Sequence, residues 1–550
     1  MNKTCTQCSA QFEVTDSDLE FYSGFTPNLP EPLHCPDCRV QRRMSWRNDR
    51  TFYHRKSSLT GQQMISIYPE GTPFPVYHSQ EWWSDKWDPE DYAREYDFNR
   101  PFFDQWQELM HAVPRRSLDL VNCENSEYCN YCGDDKNCYL DIAGEGNEDC
   151  HFNLFTKYST NCLDCTFVYT SELCYESIQC YNCYACRNSM YLDNCSDCAF
   201  CFDLKGCKNC LLSINLRNKE YYILNKEHTK EEYEKKVAEL KIDSYSGVQN
   251  VTQIWKKMRI ENGIYRDMYN LNCEDCSGNN IKNSKNCTNA FNAGDCEDCK
   301  YLYDVLEAKT CQDVNYSLYH PEVAYELIST LQLRYSAFSM ATHYSNNVFY
   351  CDLCENSSNL FGCIGLQHKE YCILNKQYTR EEYEELLSKI VEHMKTTGEW
   401  GQFFPIDLSP FGYNETVAQE YMPLTKDDVL IHGWNWTDEK EEDAYLGPEA
   451  KIADAISDVD DTICDQVLIC EASGRPYKII PQELKFYRGQ QIPIPHRSPA
   501  QRHLDRNALR NPRKLWEREC GKCKKGVSTS YSPERPETVY CEKCYLSEVY

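Results

Sequence analysis

A period of three residues runs through the middle of this chain and limits the folds that it can adopt. All sixteen cysteines from Cys123 to Cys210 lie at positions divisible by three. The fourteen aromatic residues between Leu120 and Leu216 all lie at other positions. A shared phase over this length indicates a structural repeat. One side of the winding chain is therefore narrow and lined by small side chains.

The common regular elements do not reproduce this period. Three residues of an α-helix fall about 60° short of a full turn, so the pattern would drift around the helix. A strand alternates its side chains every second residue, and a collagen-like triple helix needs glycine at its axis. Only four glycines lie between positions 120 and 216. The repeat therefore predicts a mainly β fold, a cysteine-lined β-solenoid whose corners use the Asn, Asp and Gly residues beside the cysteines.

A second, looser cysteine repeat runs from Cys273 to Cys372. It is interrupted by "HPEVAYELISTLQL", which we interpret as an inserted helix. Both repeats end alike, because "LRNKEYYILNKEHTKEEYEKKV" from Leu216 and "LQHKEYCILNKQYTREEYEELL" from Leu366 share 13 of 22 residues. In each copy a threonine followed three residues later by a glutamate predicts a capped helix. We expect these helices to cover the ends of two solenoid modules.

Each end of the chain carries a pair of Cys-x-x-Cys motifs. One motif places its thiolates on one side of a Zn²⁺ ion, and a second motif completes the tetrahedron. Sulfur ligands at all four positions leave no open coordination site, so both ends are predicted to hold structural zinc. The predicted ligands are Cys5, Cys8, Cys35 and Cys38 at one end and Cys520, Cys523, Cys541 and Cys544 at the other.

A third segment repeats the N-terminal motif without most of its metal ligands. The stretch "CEASGRPYKIIPQELKFY" from Cys470 aligns with "CTQCSAQFEVTDSDLEFY" from Cys5. Ser473, Ser498 and Gln501 stand where the alignment places the other ligands. The segment is therefore predicted to be a degenerate zinc-ribbon-like module that has lost its metal.

Both copies keep a ladder of arginines at helical spacing. Two interpretations remain open: the guanidinium groups bind phosphate oxygens of a polyanion such as RNA, or they pair with the chain's own surplus carboxylates. The surplus is large, since the formal net charge is −27. The candidate phosphate-binding residues are Arg39, Arg43 and Arg47 in the first copy and Arg502, Arg506 and Arg510 in the second.

These motifs together resemble a family of uncharacterised bacterial cysteine-rich proteins with terminal zinc-ribbon or treble-clef domains. The similarity rests on "CTQCSAQF" with "HCPDCRVQRR", on the paired "NLRNKEYYILNK"-type segments, and on "NPRKLWERECGKCKKGVSTSYSPERPETVYCEKCY". It covers nearly the whole chain. The resemblance implies zinc binding through the eight terminal cysteines and implies no activity.

The same features predict seven segments. Their boundaries follow the cysteine motifs, the ends of the repeats and changes in composition. The segments are a zinc-ribbon or treble-clef domain at 1–60, a Trp/Tyr-rich connector with a helix at 61–117, solenoid module 1 with its capping helix at 118–245, solenoid module 2 with its capping helix at 246–397, an irregular acidic connector at 398–463, the degenerate module at 464–512 and a C-terminal zinc ribbon at 513–550.

Composition narrows the functional classes. The excess of acids disfavours binding of nucleic acid or anionic membrane by the whole surface, and no apolar run is long enough to span a membrane. We therefore expect no membrane contact and a cytoplasmic location, where the 36 cysteines stay reduced or bind metal. Inward cysteines of a solenoid are expected to be inert, with further metal binding or thiol redox chemistry as alternatives.

The sequence predicts a non-enzymatic zinc-binding scaffold or interaction protein with a protein partner. One alternative is an RNA- or ribosome-associated factor that uses the arginine ladders. Another alternative is a thiol redox or metal-handling protein. No catalytic residue is predicted, and no cofactor beyond the two zinc ions.

Overall fold

The computed structural model describes residues 1–438 and 450–550, which form two units. Unit 1 contains Met1–Leu118, Met268–Asp438 and Arg513–Leu515. Unit 2 contains Asp119–Asp267, the described part of Glu439–Pro512, and Trp516–Tyr550. The first cysteine repeat therefore belongs to unit 2 and the second to unit 1.

Residues 120–227 of unit 2 form short parallel strands, which we call the first ladder. Each strand pairs with strands twelve residues away, as Thr166 pairs with Leu154 on one side and Ile178 on the other. The final strand pairs antiparallel. The strands are Leu120–Val121, Cys132–Gly133, Leu154–Lys157, Thr166–Tyr169, Ile178–Tyr181, Met190–Asp193, Phe202–Lys205, Lys208–Leu211, Ile214–Arg217, Glu220–Ile223 and Lys226–Glu227.

Almost every third residue of the first ladder has a left-handed backbone. The φ angle is 50° at Asn161, 55° at Asp164, 56° at Phe167 and 50° at Thr170. Each of these residues precedes an inward position, so the chain bends after every three residues. Asn and Asp tolerate this conformation better than most residues, which explains their frequency beside the cysteines.

The inward side chains of the first ladder form hydrogen bonds with its backbone. The thiol of Cys132 donates to the carbonyl oxygens of Asn130, at 3.4 Å, and Asp141, at 3.1 Å. The hydroxyl of Ser171 accepts from the amide of Cys183 at 3.0 Å. These positions favour a side chain that is small and can donate a hydrogen bond, and Cys and Ser meet both requirements. The predicted burial of the cysteines in this repeat is confirmed for all of them except Cys123.

Residues 271–377 of unit 1 form the second ladder, whose part from Gly278 onwards is a ten-stranded sheet that is parallel except at its last strand. Its register is mostly twelve residues, but it is eleven between Leu271 and Lys282 and thirteen between Lys309 and Glu322. These two single-residue shifts explain the looser cysteine period of this repeat. The strands are Gly278–Lys282, Ala290–Gly294, Tyr303–Leu306, Lys309–Leu318, Glu322–Leu331, Arg334–Ala337, Asn346–Phe349, Ser358–Phe361, Glu370–Ile373 and Lys376–Gln377.

The helix predicted for "HPEVAYELISTLQL" is wrong, because this segment forms the strand Glu322–Leu331. The strand pairs in parallel with Lys309–Leu318 on one side and Arg334–Ala337 on the other. Ala324 and Leu327, three residues apart, are fully buried in its inward phase. Apolar residues three positions apart fit one face of a helix as well as the inward positions of this ladder, so the sequence allows both structures. Pairing with the neighbouring strands selects the strand.

Both predicted capping helices are present, over Lys230–Glu239 in unit 2 and Arg380–Thr397 in unit 1. Each helix follows the antiparallel last strand of its ladder. The predicted capping boxes are confirmed and join Thr229 with Glu232, and Thr379 with Glu382. The helices contact the ladder ends through tyrosine rings whose centroids lie 5.7 Å apart, Tyr233 with Tyr221 and Tyr383 with Tyr371.

Shorter elements complete unit 1. Its other helices include Phe102–Ala112, the helix predicted within the connector at 61–117, and its other strands form small two-stranded sheets. The helices are Asp16–Ser23, Pro36–Met44, Ser79–Trp82, Phe102–Ala112, Val417–Tyr421 and Lys426–Ile431, with 3₁₀ turns at Pro89–Tyr92, Ile406–Leu408 and Tyr413–Glu415. The strands are Asn2–Thr4, Gln11–Glu13, Tyr53–Lys56, Gln63–Ser66, Val76–Tyr77 and Arg115–Arg116.

Unit 2 is completed in the same way. Its strand Ile264–Arg266 pairs in parallel with Thr538–Tyr540 near the C-terminus. The helices are Tyr245–Asn262, Pro481–Gln490, Pro499–Leu509 and Glu542–Val549, with 3₁₀ turns at Ile456–Asp458 and Asp461–Asp465. The remaining strands are Leu468–Ile469, Pro476–Tyr477, Trp516–Glu519 and Gly526–Thr529.

The acidic connector predicted at 398–463 lies partly outside the described residues. Its described part in unit 1 contains two of the short helices, Val417–Tyr421 and Lys426–Ile431. Nowhere in the described chain does a helix have both the length and the apolar composition that crossing a bilayer requires.

We expect the cysteines of both ladders to resist thiol reagents until the protein unfolds. Fifteen in the first ladder and eight in the second are buried. Burial raises the pKa of both Cys123 and Cys296 to about 12, so access of the reagent decides which thiols react first. Alkylation at neutral pH, read by peptide mass spectrometry, should therefore label the partly buried Cys123, Cys273 and Cys276 ahead of the others. Rapid labelling of Cys296 in the native protein would contradict this expectation.

Candidate metal centres

The N-terminal cysteine pair lies in a tight turn between two antiparallel strands, Asn2–Thr4 and Gln11–Glu13. The amide of Cys5 donates to the carbonyl oxygen of Ala10 at 2.8 Å. Ser9 closes the turn with a left-handed backbone, at a φ of 61°. This geometry turns both thiols of the motif towards the same side.

The second N-terminal pair lies at the start of the helix Pro36–Met44. Cys35 precedes the helix and Cys38 lies in its first turn. All four Sγ atoms of the N-terminal cluster lie within 4.8 Å of one another, and those of Cys8 and Cys35 are 3.7 Å apart. A tetrahedron with Zn–S bonds of about 2.3 Å has S···S edges of about 3.8 Å. The predicted ligands therefore lie together at a spacing that suits one tetrahedral metal ion.

The C-terminal cluster repeats this arrangement. Cys520 donates its amide to the carbonyl oxygen of Lys525 at 2.8 Å, and Lys524 has a φ of 62°. Cys541 immediately precedes the helix Glu542–Val549. The four Sγ atoms lie within 4.8 Å of one another, and those of Cys523 and Cys541 are 3.8 Å apart. The sequence thus predicted both ligand sets correctly as spatial clusters that can hold a metal ion.

Hydrogen bonds favour a thiolate in each cluster. A hydrogen bond from the thiol of Cys38 lowers the pKa of Cys35 to about 5, against the opposing effect of burial. Burial raises the pKa of Cys520, but hydrogen bonds from the amides of Cys523, Cys541 and Lys522 outweigh it and lower the pKa to about 6. Metal ions bind thiolates, so both clusters are prepared for a cation.

The degenerate module keeps the same backbone with different side chains. The amide of Cys470 donates to the carbonyl oxygen of Arg475 at 2.9 Å, and Gly474 has a φ of 69°. Ser498 precedes the helix Pro499–Leu509, and its hydroxyl accepts from the amide of Gln501 at 3.3 Å. A serine cap thus stands at the start of this helix, where the N-terminal and C-terminal clusters have a cysteine. Within the described residues, Cys470 belongs to no cluster of three or more possible metal ligands.

In unit 1 the side chains of the first-copy arginines point into the interior and form ion pairs with carboxylates, most of them in the second ladder of strands. Arg39 donates to Asp313 at 2.9 Å through Nε. Arg43 lies 3.2 Å from Asp313 and 3.1 Å from Glu326. Arg42, which the sequence pattern had not singled out, lies 2.8 Å from Glu326. All of these side chains are buried.

The third arginine of this ladder is also buried but has different neighbours. Arg47 lies 2.7 Å from Asp49 and stacks over the ring of Tyr316 at 4.3 Å. Its guanidinium group is therefore held by an ion pair and a cation–π contact.

Unit 2 repeats the pattern with its own residues. Arg502 lies 2.8 Å from Asp164 and 3.0 Å from Glu483. Arg506 lies 2.9 Å from Asp164 and 3.0 Å from Glu176. The third arginine of the second copy, Arg510, lies over the ring of Phe167 at 4.4 Å.

These contacts favour the second interpretation of the arginine ladders, pairing with the chain's own carboxylates. Asp313 and Asp164 each accept from two arginines and each lie at a left-handed position of their ladder, with φ of 56° and 55°. A guanidinium group held in this way is turned away from an external phosphate. Phosphate binding by the six arginines stays a prediction, and it requires them to leave these partners.

Sequence reasoning missed a third group of possible metal ligands, formed by Asp135, Cys138 and Asp141 in the first ladder. One signal was present in the sequence. Asp135 and Asp141 are the only acidic residues at positions divisible by three between 120 and 216. All other residues at those positions are apolar, cysteine or neutral polar.

The chain is not assigned to a family or a function by its similarity to known proteins. No family model and no curated protein matches the chain. A crystal structure described as an acetyltransferase from Desulfovibrio desulfuricans G20 aligns at 7% identity over 44% of this chain and 63% of that chain, with a TM-score of 0.11. Similarity this low supports no inference about fold or activity. The geometry of the cysteine clusters therefore carries the functional argument.

Proposed function

We propose that this protein is a non-enzymatic zinc-binding scaffold, and the observation that carries the proposal is the pair of Cys₄ clusters. Their ligand type and their spacing suit Zn²⁺, which binds four thiolates tetrahedrally in structural sites. A site with four protein ligands has no position for a substrate or an activated water. The proposed role of both ions is therefore structural.

We further propose that the parallel ladders are two β-solenoid modules and that the clusters belong to treble-clef or zinc-ribbon domains. The twelve-residue register and the left-handed residue at nearly every third position support the first assignment. A cysteine turn between two strands, followed by a cysteine pair at a helix start, supports the second.

A connection within unit 1 explains what the metal would do for a scaffold. The helix Pro36–Met44 carries Cys38 in its first turn and Arg39, Arg42 and Arg43 directly after it. A metal ion at the start of this helix fixes the position of the arginines that pair with Asp313 and Glu326. Metal binding would thus hold the N-terminal module on the second ladder.

The scaffold is proposed to act on a protein partner in a reducing compartment such as the cytoplasm. None of the 36 cysteines, all of which lie in the described residues, forms a disulfide bond, as is usual in a reducing compartment. Five of the six arginines are buried, and the sixth, Arg510, lies over the ring of Phe167. These contacts and the acidic net charge favour a protein partner over RNA.

Metal analysis of the purified full-length chain tests the zinc assignment. We expect Cys38→Ser and Cys544→Ser each to lose one equivalent of zinc, because each removes a ligand from a different cluster. Cys470→Ser is the matched control and should lose none. Unchanged zinc in both ligand variants would overturn the proposal, and salt-sensitive copurification with RNA would favour the RNA-binding alternative over the protein partner.

A further inference from the structure

We propose that the first ladder holds a third metal ion inside unit 2, bound by Asp135, Cys138 and Asp141. The expected ligand is a divalent transition metal of intermediate softness, with Zn²⁺ as the probe. This site is separate from the terminal Cys₄ clusters and goes beyond the proposed scaffold function, since it places a metal within the repeat itself.

The three side chains occupy consecutive inward positions of the ladder. Asp135 and Cys138 are each 1% exposed and Asp141 is 0% exposed. One ligand atom from each lies within 4.8 Å of the others. Small movements of the side chains would bring all three donors to metal–ligand distances of about 2.0–2.3 Å.

Both carboxylates have an oxygen without a hydrogen-bond partner among the described residues. The amide of Asn147 donates to Oδ1 of Asp135 at 2.9 Å, while Oδ2 of Asp135 has no partner. The side-chain amide of Asn147 donates to Oδ2 of Asp141 at 2.9 Å, while Oδ1 of Asp141 has no partner. A buried carboxylate oxygen left without a donor or cation is costly, so a positive group is expected beside it.

The protein supplies cations to other buried aspartates of its ladders but not to these. Asp164 and Asp313 each pair with two arginines. Within the described residues, neither Asp135 nor Asp141 forms an ion pair with Lys, Arg or His. Their compensating charge must therefore come from bound protons or from a metal ion.

A glycine leaves space next to the carboxylates. A Cβ atom on residue 144 would lie 2.6 Å from Oδ2 of Asp135 and 2.6 Å from Oδ2 of Asp141. Glycine is thus the only residue type that fits at inward position 144 without displacing the two carboxylates. The space that it leaves is bordered by one oxygen of each carboxylate and by the side-chain nitrogen of Asn147, which a Cβ atom would meet at 2.9 Å.

The donor set selects the class of metal. Mg²⁺ and Ca²⁺ prefer oxygen ligands alone, and Cu⁺ prefers sulfur alone. Two carboxylate oxygens with one thiolate suit Zn²⁺, Co²⁺ or Fe²⁺. Binding would neutralise most of the negative charge of the two acids and the thiolate.

Metal content of the full-length chain tests the proposal after incubation with Zn²⁺ and removal of free metal. We expect three equivalents in the unchanged protein. The variant carrying Asp135→Asn and Asp141→Asn should hold two, since amides are weak zinc ligands. Cys183→Ser, which alters another inward cysteine of the same ladder, is the control and should keep three.

Two further results separate this proposal from the terminal zinc sites. The zinc equivalent that the double variant Asp135→Asn, Asp141→Asn loses should still be bound in Cys38→Ser, which removes an ion from the N-terminal cluster. Circular dichroism of the double variant checks that the ladder is folded. Two equivalents in the unchanged protein, with none lost from the double variant, would overturn the third site and would mean that protons neutralise the acids.

Discussion

Replacing Asp164 by alanine is expected to lower the free energy of unfolding of unit 2 by about 3–5 kcal/mol. Asp164 pairs with Arg502 at 2.8 Å and with Arg506 at 2.9 Å, and all three side chains are buried. Without this carboxylate, both guanidinium groups lose a partner in an interior that water does not reach. Urea denaturation, combined with hydrogen exchange of unit 2 amides, measures the change.

Two other substitutions serve as controls for Asp164→Ala. Asp313→Ala removes the equivalent carboxylate of unit 1, next to Arg39 and Arg43, and should destabilise unit 1 by a similar amount. Glu384→Ala breaks an exposed pair with Arg380 and should leave the free energy of unfolding almost unchanged, because water screens this pair. If Asp164→Ala cost no more than Glu384→Ala, the buried pairs would not be what holds the degenerate module.

Cys38→Ser is expected to unfold the N-terminal module and to expose residues 1–50 to protease. The apolar cluster around the site is small and consists mainly of the ligands themselves with Phe12. Structural zinc contributes about 10–16 kcal/mol of apparent binding free energy in small zinc domains, so its loss should outweigh the contacts that Phe21, Tyr22 and Phe25 make with the second ladder. Limited proteolysis of the full-length protein, read by mass spectrometry, follows the cleavage of this segment.

The degenerate module provides the matched control. Cys470→Ser changes a cysteine at the equivalent turn, in a module whose helix begins with the cap of Ser498 instead of a metal ligand. We expect its proteolysis pattern to match that of the unchanged protein. A chelator should reproduce the effect of Cys38→Ser in the unchanged protein. Full protection of residues 1–50 in metal-free Cys38→Ser would show that the arginine contacts alone hold the module.

The terminal clusters were predictable because their information is local. Two cysteines separated by two residues lie on one side of a turn wherever the turn occurs, so Cys5 with Cys8 needed no knowledge of distant residues. The capping boxes at Thr229 and Thr379 were predictable for the same reason. The inward burial of the first cysteine repeat followed from its constant period of three.

Other features depended on contacts between distant residues. The segment Glu322–Leu331 has an apolar spacing compatible with two structures, and its neighbouring strands select the strand. The arginine spacing showed that one helix face is basic but not whether that face meets solvent or Asp164. The grouping of Asp135, Cys138 and Asp141 depends on their burial in the first ladder, because two aspartates six residues apart are equally typical of the exposed surface of an acidic chain.

By itself, the sequence determined the repeat, the two terminal cysteine clusters and the helix starts, because each depends on residues close together along the chain. The tertiary structure decided the direction of the arginines, their pairing with Asp313 and Asp164, and the meeting of Asp135 with Asp141 beside Gly144. Those outcomes depend on burial, and burial is a property of the packed chain: the same arginine or aspartate is a solvated surface charge until other elements cover it and require a partner.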